Sequence, residues 1–110
     1  MTTYQEFTEL PAFTRAQWDG NKLLNDADPF KWGGNNPPPP VGAKVKLYLN
    51  DFQGGTVVGY FVEHRWLGVL VKISKPPKWW VRQTKARGAD PKTTNGHFFG
   101  VDLEPRRVST

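Results

Sequence analysis

The 110-residue chain has no cysteine and only two histidines. Without cysteine, disulfides and thiolate metal sites are excluded. The histidines, His64 in "VEHRW" and His97 in "NGHFF", have no nucleophile or metal-ligand partner at useful spacing. No P-loop, dinucleotide fingerprint or zinc spacing is present. No apolar stretch approaches the roughly 20 residues a membrane helix needs. The opening "MTTYQEFTEL" lacks the cationic start and apolar run of a signal peptide. These absences lead us to expect a cytoplasmic, non-enzymatic protein with no cofactor, no metal and no membrane partner. Acidic residues are also scarce locally: from Lys72 to Lys92, Asp90 is the sole acid among seven cations.

Hydrophobic residues make up a modest 37% of the chain, but five Trp, seven Phe and three Tyr are among them. Aromatic rings bury a large area each, so one small core is feasible, and the length suits one domain. Eleven glycines and ten prolines disfavour a helical bundle and suit short strands joined by turns. The net charge of +5 favours an acidic partner. The charge is localised, because residues 1–40 carry five acids against three cations.

Those first forty residues show little periodicity. "TRAQWDG" reads as one helical turn, with Thr14 as N-cap, Gln17 at the capping-box position and Gly20 as stop. "NKLLNDADPF" adds another short turn, and the four prolines of "GGNNPPPP" favour a stiff polyproline II spacer. The run also contains a PxxP motif ahead of a cation, the pattern accepted by SH3 and WW domains. Tyr4, Phe7, Phe13, Trp18, Phe30 and Trp32 argue against free disorder. The segment is expected to wrap over the domain or over a partner.

From Val41 the pattern is that of strands. In "AKVKLYL", Val45, Leu47 and Leu49 share one face and Lys44, Lys46 and Tyr48 the other. "TVVGYFV" is β-branched and aromatic, with Gly59 marking a bulge or bend. "LGVLVKI" turns Leu67, Val69, Val71 and Ile73 inward, "WWVRQ" reads as a fourth strand, and "HFFGVDL" closes the domain. Five short antiparallel strands linked by turns describe an all-β small barrel rolled around Val45, Leu47, Val57, Val69, Val71 and Phe99, with almost no helix after residue 41.

The stretches "VGAKVKL", "QGGTVVGYF" and "WLGVLVKI" resemble the SH3-like small β-barrels over about residues 41–105, leaving residues 1–40 as an aromatic, acidic arm and 106–110 as a tail. "QGGTVVGY" also looks like the second strand of plasmid-encoded type II dihydrofolate reductases. Their Val-Gln-Ile-Tyr strand is absent, with "KWWVRQT" in its place, so the reductase reading is dropped. The pattern is similar to CAP-Gly domains too, but the Gly-Lys-Asn-Asp-Gly signature that carries their binding residues is missing. KOW and related nucleic-acid-associated barrels have no strict signature and stay open.

"KPPKWWVRQTKARG" crowds two tryptophans among cations. Read as a strand, alternation puts Lys78, Trp80, Arg82 and Thr84 on one face and Trp79, Val81 and Gln83 on the other. Trp79 would then join the core while Trp80 stands exposed. A tryptophan among cations suits base stacking beside phosphate contacts, cation–π shielding or a protein hot spot. "TKARGADPKTTNG" is a long polar loop with no large apolar anchor. Asp102 and Glu104 share a face and are expected to solvate the closing strand. The sequence therefore points to a binding surface of Lys72, Lys75, Lys78, Trp79, Trp80, Arg82, Lys85, Arg87 and Lys92, with nucleic acid as the first candidate partner. The alternative is a small inhibitor or adaptor, such as phages and mobile elements encode, acting on an acidic protein surface.

Overall fold

The computed structural model describes residues 4–15, 30–49 and 51–104. Its strands are β1 (Tyr4–Phe7), β2 (Thr14–Arg15), β3 (Lys31–Trp32), β4 (Lys44–Lys46), β5 (Gly54–Glu63), β6 (Trp66–Ile73) and β7 (Gly96–Phe99). One helix, α1 (Lys78–Ala86), lies between β6 and β7, and a 3-10 turn (Gly100–Leu103) follows β7. The seven strands form one mixed sheet that is not closed. The class is thus dominated by β structure, with more strands than the sequence suggested and two parallel pairings, β2–β3 and β3–β6.

The β5–β6 hairpin is the spine. Its two-residue loop, His64–Arg65, has φ of 51° and 71°, as a type I′ turn requires to match the twist of its strands. The outer edge of β5 is divided between β4, on Gly54–Thr56, and β1, on Tyr60–Glu63. The outer edge of β6 is divided between β3 at Trp66 and β7 along Gly68–Val71. Short partners therefore satisfy backbone groups that two long strands would otherwise leave exposed.

A bulge decides which side chains face the core. The register shifts between Val57 and Gly59, leaving Val58 as an extra residue that is 40% exposed. One additional residue inverts the strand's parity. Val57 points inward, and after the bulge Tyr60 and Val62 do so rather than Gly59 and Phe61. Opposite them, Leu67, Val69 and Val71 are fully buried, and Ile73 is partly so. Phe61 is also fully buried, but on the other face, where Tyr4, His97 and Phe99 surround its ring at 5.9, 5.0 and 5.2 Å. Both faces of the sheet centre are therefore covered. Leu47 belongs to the core as expected, whereas Val45 and Phe99 are only partly buried. Phe98 takes the core position because the β6–β7 register sets it beside Val69.

The N-terminal aromatics pack on the same domain. Trp32 is in the core, and Phe7, Phe13 and Phe30 lie against it. Phe30 also receives the Arg65 guanidinium at 4.5 Å from its ring centre, a cation–π contact. Trp32 Nε1 donates to the Asn36 carbonyl and Tyr60 OH to the Pro39 carbonyl, both at 2.7 Å, and Pro38 is buried. The proline run is thus strapped to its own domain. Thr14 and Arg15 form a strand rather than the start of a helical turn. Trp18, Gln17, Gly20, "NKLLNDAD" and the 106–110 tail lie outside the described residues.

The largest correction concerns "KWWVRQTKA", which is α1 and not a strand. Pro77 opens it from an extended conformation, and Gly88 closes it at φ +81°. The Gly88 N–H bonds the Lys85 carbonyl at 2.9 Å and the Ala89 N–H the Thr84 carbonyl at 3.1 Å, the pair of bonds that defines a Schellman stop. The polar loop that follows is organised by Asp90, whose carboxylate accepts from Lys92 N and whose carbonyl accepts from Thr94 N and Oγ1. The final segment also departs from a strand, since "GVDL" is the 3-10 turn. Asp102 is buried and accepts from Phe99 N at 3.0 Å. Glu104 accepts from Asn35 N and Asn36 N at 2.7 and 3.0 Å. These two carboxylates tie chain segments together instead of wetting a strand.

Candidate functional site

Helical periodicity reassigns the two tryptophans. Residues three and four apart share a helix face, so Trp80 and Thr84 turn inward together, and both are buried. Trp80 meets Phe52 at 6.3 Å, while Trp79 is half-buried with its ring edge-on to Phe52 at 5.4 Å. This overturns the strand reading, in which Trp80 was exposed and Trp79 in the core. Thr84 Oγ1 donates to the Trp80 carbonyl at 2.8 Å, so its hydroxyl is satisfied inside the protein.

The same periodicity gathers charge. Lys78, Arg82 and Lys85 are at i, i+4 and i+7, on the side of α1 away from Trp80 and Thr84, and all three are exposed. Lys85 in the last turn complements the helix dipole. Arg87, at the C-cap, is exposed as well.

The remaining cations assemble through the sheet. Lys44 of β4 pairs with Thr56 of β5, and Thr56 pairs with Lys72 of β6. Directly paired residues project from the same face of a sheet, so this row places two lysines on either side of one threonine. One step along, Lys46 pairs with Gly54, whose carbonyl accepts from both N and Oγ of Ser74 at 3.0 Å. Lys44, Lys46 and Lys75 line a shallow groove of about 380 Å³ floored by Gly54, Gly55, Thr56 and Ser74. On the other side of Ser74 a groove of about 500 Å³ opens between the end of β6, α1 and the Asp90 loop, and it is lined by Lys72, Lys85 and Lys92. Among the described residues Asp90 is the one acid in either lining, and its carboxylate already accepts from Lys92 N.

Of the residues expected from sequence, Lys72, Lys75, Lys85 and Lys92 line the two grooves. Lys78, Arg82 and Arg87 extend the positive surface along α1, whereas Trp79 and Trp80 serve packing. In the sequence Lys44 and Lys46 stand out only as sharing a strand face with Tyr48, opposite Val45 and Leu47. Their place beside Lys72 follows from cross-strand register, which spacing along the chain does not reveal.

A second cluster lies on the other face, over Phe61. Tyr4 OH donates to Glu6 Oε2 at 2.7 Å, and its oxygen is also 2.7 Å from His97 Nε2. With the Tyr4 hydroxyl proton directed at Glu6 Oε2, the bond to His97 is completed by a proton on His97 Nε2, which donates to the Tyr4 oxygen. Burial pushes the Tyr4 phenol well above its ordinary range, and hydrogen bonding to Glu6 adds to this. Burial lowers the His97 imidazole, with Glu6 and Glu63 opposing and Arg87 assisting. The Tyr4–His97 contact joins β1 to β7 as a clasp across Phe61. Among the described residues no set of three or more His, Asp or Glu is placed to hold a metal, and no helix is long and apolar enough to cross a membrane.

No family model, no curated protein and no solved structure matches the chain.

Proposed function

We propose that this protein is a non-enzymatic module that binds nucleic acid through phosphate contacts. The observation that carries the reading is the pair of adjoining grooves lined by Lys44, Lys46 and Lys75 on one side of Ser74 and Lys72, Lys85 and Lys92 on the other. Lysine presents a compact point charge on a flexible stem, suited to phosphate oxygens, and phosphate contacts carry no sequence information directly. The α1 cations Lys78 and Arg82 lengthen the track. The SH3-like character of residues 41–105 and the cytoplasmic setting belong to the same reading. The run β4–β5–β6–β7, with a bulge inside β5, supports the former.

The test is fluorescence anisotropy with labelled oligonucleotides at several salt concentrations. If three to six lysines each neutralise a phosphate, log Kobs falls against log salt with a slope of about −3 to −5. The triple variant Lys44→Gln, Lys46→Gln, Lys72→Gln removes exposed charges only, so its melting temperature should be unchanged. Its salt slope should flatten by about three units. Absence of binding at low salt, or binding indifferent to the triple variant, rejects the proposal and leaves an acidic protein surface as the partner for these lysines.

A further inference from the structure

We infer that the nucleic acid this surface takes is double-helical, and that it is held without regard to base sequence. The inference rests on the phosphate-binding reading above and adds the class of ligand. Single-strand binding without sequence preference depends on aromatic platforms on which successive bases stack. Among the described residues neither groove has one: between them the linings comprise lysines, small residues, Val45, Gln53, Ile73, Val81, Asp90 and prolines, with no ring of Phe, Tyr or Trp. The two tryptophans nearest the cations are spent on packing. Trp80 is buried, and Trp79 is half-buried with its edge held against Phe52. Tyr48 is 39% exposed, but it lies past the end of β4 with its backbone N–H bonded to the Asp102 carbonyl, and it lines neither groove.

What the surface does offer is charge on a rigid frame. Lys44 and Lys72 project from adjacent strands in fixed register around Thr56, and Lys85 is carried by a helix seated on the core through Trp80. A duplex presents phosphates at fixed positions and at a higher axial charge density than a single strand, so it releases more counterion per contact. A flexible single strand must be ordered on binding, and here no stacking offsets that cost. Among the described residues no arginine lines either groove, so the grooves meet the ligand with lysine point charges rather than the rigid planar fork best matched to a base edge.

The full chain is titrated against labelled DNA of about 20 base pairs, some two helical turns, an RNA duplex of that length, and an unstructured oligothymidine strand. At fixed low salt we expect either duplex to bind at least tenfold more tightly than the single strand. Two DNA duplexes of unrelated sequence should agree within about threefold. Trp79→Ala, folded by its circular dichroism, should leave the duplex affinity and the preference in place. Single-strand affinity equal to or above that of both duplexes overturns this inference while the phosphate-binding proposal stands. A large gap between the two unrelated duplexes, or loss of the duplex preference in Trp79→Ala, overturns it as well. If no oligonucleotide binds, both readings fall together.

Discussion

Replacing Trp80 with alanine would remove the side chain on which α1 is seated. Trp80 is 9% exposed and packs on Phe52, which in turn packs on Phe98 at 5.1 Å. Truncating a buried tryptophan costs about 3–5 kcal/mol, from lost transfer energy and from the cavity left behind. The total stability of a domain this size is about 5–15 kcal/mol, so the loss is a large share of it. At roughly 4–8 °C per kcal/mol for small domains, the melting temperature should fall by more than about 10 °C. Trp79 is half-buried and keeps one edge-on contact with Phe52, so Trp79→Ala should cost only about 1–2 kcal/mol. Thermal melts by far-UV circular dichroism give this ordering directly. Oligonucleotide binding measured well below each midpoint should persist in both variants. If Trp80→Ala melts within about 3 °C of the parent and binding collapses, the ring is a contact residue and the packing argument fails; the ~1–3 kcal/mol stacking contribution would then be the effect at work.

Other consequences are as concrete. At Gly68 an added Cβ would run into the Phe61 ring and come within 2.7 Å of the Phe98 carbonyl oxygen. Gly68→Ala should therefore destabilise by about 1–3 kcal/mol or more, seen as a lower denaturant midpoint; a neutral result would mean the Phe61 cluster is loose. Gly88 has open space around it but φ of +81°, so Gly88→Ala should cost about 1 kcal/mol through backbone strain alone, with no change in salt slope. The clasp predicts a pH window. Because folding lowers the His97 pKa below 6.5, the folded state binds fewer protons than the unfolded one, and stability should decline as pH falls through about 6.5 and below. The raised Tyr4 phenol works in the other direction, its contribution being present below pH 10 and lost as pH climbs past it. Tyr4, Glu6, Glu63 and Arg87 face the imidazole. Melts between pH 8 and 5 should show a shallower acid decline for His97→Gln than for the parent; identical curves would remove His97 from the account.

Much of the strand region was legible because alternation is a local property. Leu67, Val69 and Val71 read as inward from spacing alone and are fully buried, and Gly59 marked the irregularity in β5. α1 was misread although its punctuation was present: Pro76–Pro77 ahead of it, Lys85 in its last turn and Gly88 at its stop. Tryptophan and valine favour strands as isolated residues, and in nine residues that preference outweighed the boundary signals. Reading Trp80 and Thr84 as an i, i+4 pair would have located both the helix and its buried face.

Composition and charge placement, both properties of the chain, already determined that the molecule would be strand-rich and aromatic in its core, with one strongly positive region. They also named most of the lysines that line the grooves. Three things were decided only by tertiary structure. One is the parity of β5 after Val58, set by the bulge's pairing with β6. Another is the division of labour between Trp79 and Trp80, set by how α1 lies on Phe52. The third is the meeting of Lys44 and Lys46 with Lys72, set by register across three strands. Each depends on which distant residues become neighbours. Local pattern does not encode that, because burial and hydrogen bonding across strands are settled only when the whole sheet has formed.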